Sequence, residues 1–305
     1  MATTFLLVLW RTVVVAQECA TTKRELGVVL DAGDLKTIEE TGVRRIVEAV
    51  KQHGVVVIEN QPLSRAEQVA LSGKLGSVVI LPPSFEGLDP EPELPAIQRV
   101  TNYWANGTWK GRRHSFGAYW HQDGQFWPRS HRWIFSMLAC AAAPPSGGET
   151  GFADLRSSYA TLDPDLKATA ANSTIEASVR DIADFVRNAV PEELDLFDDV
   201  THPVVDTFPG SGATALADAG DVILYVGSRQ MRLVPPRFGF IDQIIDHATA
   251  APYYHAWKPG DVVIWDNTQT LHKAHPSDSS QRKRTSLSDH PPQTTPRAGW
   301  NQMAR

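Results

Sequence analysis

Apolar residues along this chain switch repeatedly between helical and strand spacing, and the switches mark its elements. Ile38, Val43, Ile46, Val47 and Val50 recur at helical spacing within the charged segment Thr37 to Gln52, which predicts an amphipathic helix laid on a sheet. His53-Gly54 stops it, and Val55-Val56-Val57-Ile58 reads as a buried strand. Ser64 starts a second helix, with Arg65-Ala66-Glu67-Gln68 in its first turn and an end near Gly73 to Gly76. The stretch Val78 to Pro95, rich in Pro, Gly and Glu, predicts a loop; Ile97 to Thr101 predicts a strand, and Asn102 to Gly117 a long polar and aromatic loop.

Trp133 to Ala143 is a further buried strand, closed by the turn Pro144-Pro145-Ser146-Gly147-Gly148. Asp163 to Phe197 reads as a polar helical excursion. Short strands return at Val204-Val205, Val222 to Val226 and Met231 to Leu233, and Ile241 to Thr249 is another helix. Pro259-Gly260-Asp261 turns the chain into Val262 to Trp265, and Asp266-Asn267 turns it again. Many short strands, with helices at the start and in insertions, predict an α+β protein built on a β-sandwich or jelly-roll barrel.

Composition narrows the picture. The 305 residues are 42% hydrophobic and 21% charged, with a formal charge of −6, as in ordinary globular proteins. No block of consecutive basic residues stands out beyond Gln281-Arg282-Lys283-Arg284, so no nucleic-acid partner is expected. Two cysteines, Cys19 and Cys140, make no disulfide framework, and Cys140 lies in an apolar run; a reducing, cytoplasmic setting is expected. Phe5 to Trp10 and Val13 to Ala16 are apolar, but Arg11 interrupts them and no basic segment precedes them. The chain therefore predicts neither a signal peptide nor a membrane span, but an extension over residues 1–25 ahead of one domain over 26–305.

His121-Gln122-Asp123 carries the chemistry. A strand puts residues i and i+2 on one face, so His121 and Asp123 can reach one metal ion, and His272 from a distant strand would complete the set. Two histidines and one carboxylate, with open coordination positions, are diagnostic of non-haem Fe(II) oxygenases.

Several further segments then coincide: Tyr119-Trp120-His121-Gln122-Asp123-Gly124; Pro144 to Asp154 with its Gly147-Gly148-Glu149-Thr150 core; His202-Pro203-Val204-Val205; Trp257-Lys258-Pro259-Gly260-Asp261; Trp265-Asp266-Asn267; and Leu271-His272-Lys273-Ala274. In order and spacing they resemble the taurine dioxygenase and 2,4-dichlorophenoxyacetate dioxygenase superfamily of Fe(II)/2-oxoglutarate-dependent oxygenases, over residues 26–292.

The resemblance implies a double-stranded β-helix (jelly-roll, cupin-like) core with flanking helices and a helical insertion. It implies Fe(II) on His121, Asp123 and His272, with 2-oxoglutarate and O2 as cosubstrates and succinate and CO2 as products. Thr150 corresponds to the residue that bonds the tail carboxylate of 2-oxoglutarate. An arginine after His272 should grip the same carboxylate, since its rigid fork binds carboxylates bidentately. Arg282 and Arg284 are offered there, at a spacing that departs from the family's; Arg284 is favoured because Arg284-Thr285-Ser286-Leu287 reads as the core-facing strand. Asn102, Tyr103, Trp104 and Arg113, with Gln125 and Trp127 after the ligand segment, fall where the family meets its substrate. A homo-oligomer, dimer or tetramer, is common in that family. Two other classes use the same residues: a catalytically silent β-helix protein binding a small molecule or partner, and a zinc-type hydrolase.

Overall fold

Val55–Ile58 (β2) is buried at every position because both of its faces are covered. In a computed structural model the chain is described over residues 25–80, 90–91, 93–100, 117–128, 133–182, 191–195, 197–207, 222–228, 231–277 and 293–299. The largest sheet has the order β1-β2-β14-β6-β16-β5-β4. Its strands are β1 (Val28–Val29), β2, β14 (Val262–Asp266), β6 (Trp133–Ala139), β16 (Gln293–Gly299), β5 (Leu94–Val100) and β4 (Pro90–Glu91), while β3 (Ser77–Val78) pairs with β16.

Alternation along these strands sorts their side chains into two layers. Val56, Ile58, Met137, Ala139, Val262 and Ile264 pack against helix α1 (Glu40–His53) and helix α2 (Arg65–Leu75). Val55, Val57, Leu138, Cys140, Val263 and Trp265 point the other way, onto Phe152 and Trp257. This accounts for the uniformly apolar strand sequences: a sheet covered on both sides has no polar face.

The predicted helices form as expected. α1 buries Val43, Ile46, Val47 and Val50 and ends at Gly54, whose φ of 73° lets the chain reverse into β2. α2 starts with a capping box: the Glu67 amide donates to Ser64 Oγ at 3.3 Å, and the Ser64 amide donates to Glu67 Oε2 at 2.7 Å. Those bonds hold the Glu67 carboxyl below the usual carboxylate range, the backbone bond from Ser64 first.

The opposing layer is a three-stranded sheet of order β13-β7-β15, formed by β13 (Tyr253–His255), β7 (Thr150–Asp154) and β15 (Thr270–Ala274). Beyond it a second three-stranded sheet, β12 (Arg232–Val234), β8 (Thr174–Ala177) and β9 (Val200–Pro203), packs with α6 (Phe240–Ala248) around Ile175, Phe240, Ile244 and Leu271. β10 (Val205–Thr207) pairs with β11 (Val222–Leu224). No helix among the described residues is long and apolar enough to cross a membrane.

Two expectations need correction. The polar excursion Asp163 to Phe197 is not continuously helical: after α3 (Leu155–Thr161), α4 (Pro164–Ala171) gives way to β8, a 3-10 turn at Val179–Asp181 and the short α5 (Pro191–Leu194). Strand period wins at β8, where Ile175 and Ala177 alternate inward with partly exposed Thr174 and Glu176. The end of the expected loop Val78 to Pro95 is strand too, because β4 and the start of β5 pair with each other. The expected extension over residues 1–25 lies, but for residue 25, outside the described residues.

Candidate metal centre

The site sits on the edge of the smaller sheet, where it faces the larger one. β15 pairs with β7 so that His272 lies opposite Phe152. On its other side β15 meets one residue of a separate segment. The His121 amide donates to the His272 carbonyl at 3.0 Å, and the His272 amide donates back to His121 at 2.9 Å. Their rings lie 4.2 Å apart, tilted by 45°. His121 Nδ1 is 2.8 Å from the Tyr119 carbonyl. A carbonyl only accepts, so Nδ1 carries the hydrogen and Nε2 keeps its lone pair in the neutral ring.

Asp123 is not on a strand with His121, contrary to the expectation. His121 makes isolated bridges only, and the chain turns over residues 123–126. Gly124, at φ 66°, supplies the left-handed conformation that begins this turn. A side chain replaces the missing strand partner: Asn267 Oδ1 accepts from the Asp123 amide at 2.7 Å, and Asn267 Nδ2 donates to the Asp123 carbonyl at 2.9 Å and to Trp133 O at 3.1 Å. Ser136, wholly buried on β6, donates its hydroxyl to Asp123 Oδ2 at 2.7 Å. The other carboxylate oxygen, Oδ1, is thereby turned to the imidazoles.

Asp123 Oδ1 lies 3.8 Å from His121 Nε2 and 3.7 Å from His272 Nε2. These separations are too long for hydrogen bonds. Atoms so spaced can all lie about 2 Å from one cation, the usual metal–nitrogen and metal–oxygen distance. One ligand atom from each residue falls within 4.8 Å of the others, and all three residues are buried. A buried carboxylate is costly unless its charge is met, and a divalent ion between the three atoms meets it. The donor set fits ferrous iron.

Gln122, between the two ligands, points away and sews the site to its surroundings. Its Oε1 accepts from the Val226 and Gly227 amides, each at 3.1 Å, and its Nε2 donates to Asn267 O and Thr268 O, each at 3.3 Å. Asp266 Oδ1 accepts from the Thr268 amide at 2.8 Å and the Thr268 hydroxyl at 2.6 Å, fixing the turn before β15. His202 Nε2 at 3.2 Å and Tyr225 OH at 3.0 Å both donate to the Gln125 carbonyl, holding the far end of the Asp123 turn. Ser136 was not singled out from the sequence. Gln122, Asn267 and His202 stood inside quoted motifs without a role, since side-chain bonds to a distant backbone leave no spacing signal.

The expected cosubstrate threonine is near the centre. Thr150 shares the inner face of β7 with Phe152, which stacks on the His272 ring at 6.3 Å. Trp265 tilts against the same ring at 5.0 Å. Trp257 Nε1 donates to Thr150 Oγ1 at 3.0 Å. Behind it, His255 and Asp261 form a buried pair at 3.1 Å. Burial holds the His255 imidazole below its ordinary range, outweighing the pull of Asp261 in the other direction.

Of the expected substrate residues, Gln125 is buried, and its Oε1 has no hydrogen-bond partner among the described residues. Trp127 packs edge-on against Phe197 at 5.4 Å, in an apolar cluster with Phe126. Asn102, Tyr103, Trp104, Arg113, Arg282 and Arg284 lie outside the described residues. His275 is no part of the ligand cluster: its ring meets Tyr254 edge-on at 4.9 Å, and desolvation, then Lys273, lowers its titration.

Known proteins resemble this chain in sequence and in fold. The model of the family described as "Taurine catabolism dioxygenase TauD, TfdA family" matches residues 20–287. The alpha-ketoglutarate-dependent 2,4-dichlorophenoxyacetate dioxygenase of Cupriavidus pinatubonensis is 29% identical over 272 residues, covering 81% of this chain and 88% of the relative. Pentalenolactone F synthase of Streptomyces avermitilis is 26% identical over 275 residues, covering 85% and 88%. The crystal structure of AAD-2 in complex with Mn(II) and N-oxalylglycine shares the fold, with a TM-score of 0.72 at 21% identity, over 92% of this chain and 96% of that one. The chain belongs to the TauD/TfdA family of alpha-ketoglutarate-dependent dioxygenases.

Proposed function

We propose, from the chain's membership of the TauD/TfdA family, that it hydroxylates an unactivated C–H bond of a small organic molecule on a double-stranded β-helix scaffold. The observation that carries this is the buried convergence of His121, Asp123 and His272, with one ligand atom each inside 4.8 Å. Two neutral imidazoles and a carboxylate suit Fe(II) and leave coordination positions open. Iron with 2-oxoglutarate and dioxygen supplies the oxidising power, releasing succinate and carbon dioxide.

The protein's share is to bind, orient and exclude water. The Tyr119 carbonyl fixes the His121 tautomer, Ser136 fixes the Asp123 carboxylate, and Asn267 fixes the backbone that carries it. Phe152 and Trp265 flank His272 with apolar surface and keep water from that side of the centre. Thr150, with Arg284 or Arg282, binds the tail carboxylate of 2-oxoglutarate. A guanidinium provides the charge-assisted, bidentate part of that contact and the threonine hydroxyl the directional part.

The substrate is met by Gln125, whose buried Oε1 offers an acceptor beside the ligand turn, by Trp127, and by Asn102, Tyr103, Trp104 and Arg113. Two observations support a small-molecule substrate. One relative is named for 2,4-dichlorophenoxyacetate and another as a pentalenolactone F synthase. The second name, with the unusual arginine spacing, favours an intermediate of specialised biosynthesis over a catabolic acid.

Succinate formation measured over a panel of small acids, aryloxyalkanoates and biosynthetic intermediates, with Fe(II) and 2-oxoglutarate present, tests this reading. Substrate-dependent succinate with a matching hydroxylated product is expected. Substrate turnover that needs no 2-oxoglutarate, or persists in Asp123→Ala, contradicts it.

A further inference from the structure

The hydroxyl of Thr150 is not free to choose its direction. Trp257 Nε1 lies 3.0 Å from Thr150 Oγ1, and both residues are buried. An indole N–H is a donor only, so the oxygen must accept from it. One lone pair of Oγ1 is thereby committed, and the hydroxyl hydrogen is confined to the directions that remain. The hydroxyl donates no hydrogen bond to another group among the described residues. The hydroxyl is held as an outward donor.

The indole is itself held from both sides by one carboxylate. His255 stands directly opposite Thr150 in the β13–β7 ladder. Its ring meets Trp257 edge-on at 4.5 Å and 88°, and its Nε2 lies 3.1 Å from Asp261 Oδ2. The same Asp261 oxygen accepts from the Lys258 amide at 2.9 Å. Asp261 therefore pins the chain two residues before Trp257 through a side chain and one residue after it through the backbone. All of these groups but Lys258 are buried, so their bonds form where water offers little competition.

We infer that Trp257 is a positioning residue that sets the polarity of the Thr150 hydroxyl, making it a donor matched to an ionised carboxylate. An ionised carboxylate only accepts, whereas an amide or alcohol can present a hydrogen of its own, which this donor would meet head-on. Trp257 thus contributes to selecting keto acids that carry a second carboxylate, without touching them. The inference rests on the reading of Thr150 as a contact of the 2-oxoglutarate tail.

The test uses the full chain loaded with Zn(II), a redox-inert stand-in for iron, and calorimetric titration with two keto acids. 2-Oxoglutarate has the tail carboxylate; 2-oxobutyrate has the same keto acid head and lacks it. Trp257→Phe keeps the ring and removes the donor. It is expected to weaken 2-oxoglutarate binding by about three- to ten-fold, the order of one neutral hydrogen bond, and to leave 2-oxobutyrate binding unchanged. Equal losses for both ligands, or no loss for either, overturn the inference.

Thr150→Val separates the two levels of the argument. If that variant binds 2-oxoglutarate as tightly as the wild type, the cosubstrate reading of Thr150 fails, and the inference with it. If Thr150→Val is weakened and Trp257→Phe is not, only the role of Trp257 fails. The wild-type protein gives an independent readout that no failure to fold can compromise. The indole N–H resonance of Trp257 should shift on adding 2-oxoglutarate and stay in place with 2-oxobutyrate; equal shifts with both contradict the inference.

Discussion

His121 and His272, far apart in sequence, exchange both of their backbone hydrogen bonds, at 3.0 and 2.9 Å. The pairing of the two imidazoles is therefore a property of the main chain, and the side chains are not needed to create it. Removing one ring should spare the fold and abolish the site. His272→Ala is expected to keep the wild-type circular dichroism, and its bound iron, measured by elemental analysis, should fall from one equivalent to near none. Full metal retention in that variant would remove His272 from the ligand set.

Ser136 shows how the carboxylate is aimed. Its hydroxyl is the donor at 2.7 Å to Asp123 Oδ2, from a strand that belongs to the opposite sheet. Ser136→Ala should leave the thermal midpoint of the metal-free protein close to wild type while lowering metal affinity about ten- to a hundred-fold, as loss of a supporting bond behind a ligand does. Competition against a chelator reads this directly.

Gly124 has two reasons to be glycine. Its φ is 66°, and a Cβ there would stand 2.7 Å from Trp133 Cδ2. Trp133 is fully buried and has no room to give way. Gly124→Ala should destabilise the protein by about 1–3 kcal/mol and loosen the metal, since the displaced backbone is that of Asp123. Chemical denaturation and metal titration of the same variant should move together.

The buried His255 gives stability a pH dependence whose sign follows from its burial. The folded chain holds this imidazole neutral to lower pH than the unfolded chain, which protonates near pH 6.5. Below that pH the unfolded state binds more protons, so stability falls on acidification through the window between the two values, and this group adds no slope above it. Unfolding of the chelator-treated protein, followed from pH 8 downward, should show a shallower acid loss in His255→Gln than in wild type. Identical slopes would mean that His255 is not held neutral by burial.

Much of this was legible in the sequence, and the exceptions have physical causes. Val55–Ile58, α1 and the capped α2 follow from local apolar spacing and cap residues, which report on structure within a turn or two. The three ligands were legible because their residue types and order are set by the chemistry of one ion. The Asp123 turn was not, because the partner of its amide is the Asn267 side chain rather than a strand. β8 hid within a polar stretch, because only two of its four residues face the core. Ser136 looked like one polar residue in an apolar strand; its role exists only once the two sheets face each other.

The proposed chemistry depends most on one ferrous ion being held jointly by residues 121, 123 and 272 and chelated there by the keto acid. Absorption spectroscopy without oxygen measures this most directly. Adding Fe(II) and 2-oxoglutarate to the wild-type chain should produce a weak visible charge-transfer band, which His272→Ala fails to give. A folded, iron-loaded wild-type protein that shows no band, or a variant that keeps it in full, would contradict the account.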